Sequence, residues 1–220
     1  GAWIIGLFLL IASGYKTAVN FREDGTKKEQ IVLMQPANGN LLVQLTDSSG
    51  NKINAEDEKD AESFNVDEDG VFVNGVNVKD MQQIPVAKPA LEIMSSENDS
   101  FYIQEIITAR GRNKPDANHN AEVTTYRFNQ TDTILNLSPH LYIDKNNKWR
   151  AQNIKIRIAI PEGKKIRFAN NIDLWTAVVK GDDSFNDTYF ANTTWTVEKG
   201  KLKCIGGENP FNADKDEEGI

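Results

Sequence analysis

Within residues 91–168, several strand-length runs carry apolar side chains at every second position. The clearest case is Ile154-Lys155-Ile156-Arg157-Ile158-Ala159-Ile160, in which isoleucine lines one face of an extended segment and Lys155, Arg157 and Ala159 the other. Such alternation predicts a strand with one buried face. Pro161-Glu162-Gly163 interrupts it, since Pro161 has no N–H to donate and Gly163 admits a tight turn, and residues 164–168 resume the pattern.

The same reading extends along the chain. Strands are expected at 30–35 and 41–45, separated by the turn Asn38-Gly39-Asn40, with a further turn over 47–50. Very short strands flank Asp69-Gly70 and Asn74-Gly75, and Pro85 and Pro89 bracket a crossing segment. In the main body the pattern predicts strands at 90–94, 101–109, 121–128, 133–137, 141–143 and 154–160. Turns are expected at 95–100 and 129–131, a short helix within 113–120 with Pro115 in its first turn, and 194–197 as a last strand. A strand and turn every ten residues or so, without long helical periodicity, predicts an all-β fold of short strands: a two-sheet sandwich or a β-solenoid. No strict repeat separates the two.

The front of the chain is different. Residues 2–12 form an unbroken apolar run, and Lys16 is the first charge. This predicts an N-terminal apolar helix over 1–20 that reads as the end of a membrane helix, with a buried core helix as the bland alternative. A signal peptide would need a basic start, which is missing. The polar residues 21–29 read as a linker, 30–205 as the β-rich domain and 206–220 as an acidic polar tail.

Charge and composition narrow the functions. A formal net charge of −7, with basic residues scattered among acids, argues against a nucleic-acid groove. Cys204 is the single cysteine, so no intrachain disulfide forms. His119 and His140 lack metal-ligand spacing, and Ser138 and Ser184 lack the setting of a nucleophile. The segment from Asp214 imitates the start of a calcium loop, but its twelfth-position glutamate is missing. Arg110 and Arg150, at expected strand ends, suit structural ion pairs before ligand contacts. Trp149, Trp175 and Trp195 suit core or rim packing before stacking on a sugar or a partner. No catalytic, cofactor or metal residue is assigned, and no cofactor is expected.

A resemblance adds to this. Thr108-Ala109-Arg110-Gly111-Arg112, Leu135-Asn136-Leu137, Lys148-Trp149-Arg150-Ala151-Gln152 before the Ile154 strand, and Thr194-Trp195-Thr196-Val197 onward to Cys204 are similar to the C-terminal region of Bacteroidetes proteins that carry a PspC (phage shock protein C) domain. The resemblance covers roughly residues 90–205 and implies an extracytoplasmic β-rich region following membrane helices. The PspC segment itself does not match any part of the chain. The expectation is a non-enzymatic, membrane-tethered, periplasmic domain that senses or binds an envelope protein partner. A surface adhesin-like module is the alternative, and homo-oligomerisation is left open. A glycan hydrolase would require two convergent carboxylates in a deep cleft.

Overall fold

In a computed structural model of the 220-residue chain, the described residues are 19–47, 49–53, 64–67, 70–73, 76–77, 81–174, 177–180 and 190–207. The elements in chain order are β1 (Glu23–Val32), β2 (Asn40–Leu45), β3 (Phe64–Asp67), β4 (Gly70–Val73), β5 (Val76–Asn77), β6 (Gln83–Ala87), β7 (Ala90–Ser95) and β8 (Tyr102–Gly111). After the helix α1 (Lys114–Glu122) come β9 (Phe128–Thr131), β10 (Ile134–Leu137), β11 (Leu141–Asp144), β12 (Asn153–Ile160), β13 (Lys165–Phe168), β14 (Ala177–Val179), β15 (Thr194–Glu198) and β16 (Lys201–Gly206). The fold is all-β with several open sheets.

Two sheets hold the core. One has the order β1-β8-β12-β7-β14 and the other β16-β15-β13-β2-β10-β9. Alternation decides which side chains enter: Ile154, Ile156, Ile158 and Ile160 of β12 are buried, as are Leu41, Val43 and Leu45 of β2 and Ile166 and Phe168 of β13. Residues of both sheets form a single buried cluster that includes Trp195 and Phe190, so the sheets pack face to face. From β10 onward the chain passes between them at β12, β13, β14 and β15, which lie alternately in the first and second sheet. The central pairs β7–β12, β7–β14, β2–β10 and β2–β13 are parallel. The molecule is therefore wound like a solenoid at its centre and flanked by antiparallel strands.

The corner Pro161-Glu162-Gly163 shows how one winding is closed. Gly163 has φ 70, a left-handed conformation that glycine adopts without Cβ strain, and the chain there leaves the first sheet for the second. The Glu162 carboxylate accepts hydrogen bonds from the backbone N–H groups of Lys199 and Gly200 (3.0 Å for the latter), tying the corner to the β15–β16 hairpin. Asn171 is wholly buried and satisfied: its Nδ2 donates to the carbonyls of Leu45 (2.9 Å) and Ile53 (2.8 Å) and its Oδ1 accepts from Leu45 N–H.

Several sequence expectations need correction. Residues 21–29 are not a linker: from Glu23 they form the front of β1, which pairs antiparallel with β8 over ten residues. β1 is an edge strand with mostly exposed side chains, so it lacks the apolar alternation that marks the central strands. The expected strand 121–128 begins inside α1, where buried Ala117 and Ala121 follow a helical spacing of four. The expected turn 129–131 is β9, another polar edge strand, and the turn falls at 132–133. The segment bracketed by Pro85 and Pro89 begins inside β6, which accommodates Pro85 in a bulged pairing with β11. Residues 194–197 are not the last strand, because Lys199 and Gly200, with φ 54 and 75, turn the chain into β16.

The expected apolar helix over 1–20 falls almost wholly outside the described residues, as do the acidic tail from 208 onward, Trp175 and Ser184. Among the described residues no helix is long and apolar enough to cross a membrane.

Candidate functional site

The first site begins with a parity argument on β8. Ile103, Ile107 and Ala109 are buried, and Glu105 falls in the same series, only 5% exposed. Its carboxyl therefore stands on the inward face of the sheet. In the ladder it lies opposite Glu29 of β1 on one side and Ile156 of β12 on the other. Glu29 is paired with Lys27 at 3.4 Å. Among the described residues, no donor reaches the Glu105 carboxyl.

Burial, reinforced by the negative charge of Glu29 and opposed by Lys27, pushes the Glu105 carboxyl up to about 7. A groove of about 450 Å³ opens over it, lined by Lys27, Glu29, Ile31 and the segment 125–128 that follows α1. Within that segment Tyr126 is buried, and its hydroxyl donates to the carbonyl of Ser138 at 2.6 Å. Burial and then the neighbouring Glu105 charge raise the phenol well above its ordinary value. Near neutral pH this groove holds a carboxyl that changes charge, beside a phenol that stays neutral.

A larger groove of about 870 Å³ shares Arg127 and Phe128 with the first and runs past Gln83, Asn136, Tyr142 and Asp144 to Asp47. Its wall is rich in amides and hydroxyls. The two carboxylates on its rim are occupied in their own turns. Asp47 accepts from the backbone N–H groups of Asn51 and Ser49, both at 2.8 Å, and from the Asn51 side chain; the Asn51 bonds lead in holding it below the usual carboxylate range. Asp144 accepts from the backbone and side-chain N–H groups of Asn146, both at 2.8 Å. What the groove offers a ligand is hydrogen-bonding groups and the aromatic side chains of Phe128 and Tyr142.

The residues singled out in the sequence are scattered by comparison. Arg110 pairs with Asp24 at 2.8 Å, the structural ion pair expected of it. Arg150 donates to the carbonyl of Trp149 and lies 5.8 Å above the ring of Phe21. His119 is exposed on α1 and His140 stands edge-on to Tyr142. The described residues contain no grouping of three or more possible metal ligands. Trp195 is a core residue, its Nε1 donating to Thr193 Oγ1 at 2.9 Å. Trp149 is 56% exposed. Cys204 is half-buried at the margin of the core. Ser138 lines the larger groove, but its hydroxyl donates to the carbonyl of His140. Glu105 carries no motif that the sequence marks as a site, although its place between Ile103 and Ile107 makes it an inward carboxylate.

A family model described as ToastRack found in some PspC matches residues 76–210. No curated protein and no solved structure matches significantly.

Proposed function

Since the chain belongs to the ToastRack family found in some PspC proteins, we propose that it is the membrane-tethered, periplasmic part of a PspC-associated stress-response module, and that it works without turnover by docking a segment of an envelope protein partner. The observation that carries this reading is the larger groove: open, walled by amide and hydroxyl groups, with both rim carboxylates committed to closing turns. Such a wall suits the alternating donors and acceptors of an extended peptide. A hydrolytic centre would instead need a free acid and base converging on one bond.

Site-specific photocrosslinking in intact cells tests this. A photoreactive residue at Asn136 or Arg127 is expected to give a discrete adduct with one protein, and the same residue at Lys201, on β16, is not. Equal labelling at all three positions, or none at any, would count against the groove as the docking face. Protease accessibility before and after outer-membrane permeabilisation tests the placement: cleavage only after permeabilisation is expected, and cleavage in intact cells would favour a surface module.

A further inference from the structure

Where the chain enters β1, side chains from three separate segments meet. The ring of Phe21 packs against Trp149 with centroids 5.6 Å apart, and the Arg150 guanidinium lies over the other ring of the pair, Phe21. Arg150 is anchored through its carbonyl, which accepts from the backbone N–H of Arg110 at 2.7 Å. Lys114 Nζ donates to the carbonyl of Asp24 at 2.8 Å, and Arg112 pairs with Asp116 at 3.4 Å. This end of the molecule thus gathers Arg22, Arg110, Arg112, Lys114, Lys148 and Arg150 around three acids, Glu23, Asp24 and Asp116. Asp24 and Asp116 are already in ion pairs. In a chain of formal net charge −7, the local excess is basic.

The same end carries Trp149, exposed although it is large and aromatic. The apolar run of residues 2–12 ends nine residues before Phe21, and Lys16 is the only charge in residues 2–19. At no more than about 3.5 Å per residue, Phe21 lies within about 32 Å of the end of that run, so this pole is the part of the domain held nearest to it. We infer that this pole is a membrane-facing surface, on which Trp149 and Phe21 enter the headgroup layer and Lys148, Arg150 and Arg22 pair with anionic lipid phosphates. The inference rests on the membrane-tethered reading above.

Tryptophan favours the interface because its ring is apolar and its N–H seeks a polar partner. Basic side chains beside a span are drawn to anionic headgroups. The remainder of the domain, acidic in sum, is repelled by the same surface, so the charge asymmetry would orient the domain with this pole down.

The test uses the full chain in vesicles of phosphatidylcholine and phosphatidylglycerol whose acyl chains are brominated near the headgroup. The Trp149 contribution is the difference in emission between the wild type and Trp149→Phe, a variant that keeps an aromatic ring against Phe21. That contribution is expected to be quenched by the bromines, and to recover in high salt and in Lys148→Glu/Arg150→Glu. A chain that floats with the vesicles while its Trp149 contribution is unquenched, or is insensitive to salt and to the charge reversals, overturns the surface and leaves the tether standing. A chain that does not float with vesicles removes both.

Discussion

Glu105→Gln replaces a carboxyl that must desolvate its charge with a neutral group of the same shape. The folded-state value of about 7, against an ordinary 4.5, is a gap of about 2.5 units, or about 3.4 kcal/mol at about 1.36 kcal/mol per unit. That figure is a ceiling, because the groove admits water to the carboxyl; screening brings the expected penalty to about 2 kcal/mol. Because the folded value is raised, the unfolded chain releases its proton first as pH rises. The contribution is fully present below about 4.5 and is lost by the time pH has passed through about 7. The wild type should therefore weaken relative to Glu105→Gln between pH 4.5 and 8, and above pH 8 the variant should be more stable by about 2 kcal/mol. Urea unfolding followed by the fluorescence of buried Trp195 measures this; with a slope of about 2 kcal/mol per molar, the midpoints should separate by about 1 M at pH 8 and converge at pH 4.5. Other titrating groups cancel in the difference. A gap between the two proteins that stays constant across this range would refute the assignment of a buried, neutral-pH carboxyl to Glu105.

Gly25→Ala would place a Cβ about 2.1 Å from the backbone carbonyl of Ala117, so α1 must lift from β1; a loss of about 1–3 kcal/mol in urea unfolding is expected, and unchanged stability would show that the helix does not lie so close. A fragment of residues 76–210, the family-matched segment, lacks β1 and β2, and β2 is hydrogen-bonded on both sides by β13 and β10 in the middle of its sheet. It should show no cooperative unfolding transition and poor dispersion in an amide NMR spectrum, and a sharp transition would mean that the sheet closes without its central strand.

What was legible in the sequence followed burial. The Ile154 strand, residues 41–45 and residues 165–168 face the core on one side, and their side chains announce it by alternating. The edges were illegible for the opposite reason: the mostly solvated side chains of β1 and β9 are not constrained to alternate, so their composition is that of a loop. The helix was legible from Asn113 and Pro115, the residues that cap and open it, with Asn113 Oδ1 accepting from Asp116 N–H at 2.9 Å. Its end was not, because Ala121, Val123 and Thr125 can be read with a period of two as easily as Ala117 and Ala121 with a period of four. β16 keeps alternation in Leu202 and Cys204 but buries them only partly. Of the candidate site, Glu105 was within reach of sequence reasoning through its parity with Ile103 and Ile107. Its neighbours Lys27 and Glu29 were not, since the register that brings β1 beside β8 leaves no mark on either strand alone.

The long reach of the β1–β8 ladder sets a timetable for synthesis. Glu29 pairs with Glu105 and Val32 with Tyr102, so a chain made from its N-terminus carries β1 without a partner until more than seventy further residues have followed. At about 5–20 residues per second that interval lasts several seconds, and β2 must wait longer still for β10 and β13. During that time two strands with open backbone edges travel ahead of everything that will cover them. Charge protects the first of them: with Lys27, Lys28 and Glu29 at its centre, β1 offers no apolar run that would invite pairing with another nascent chain.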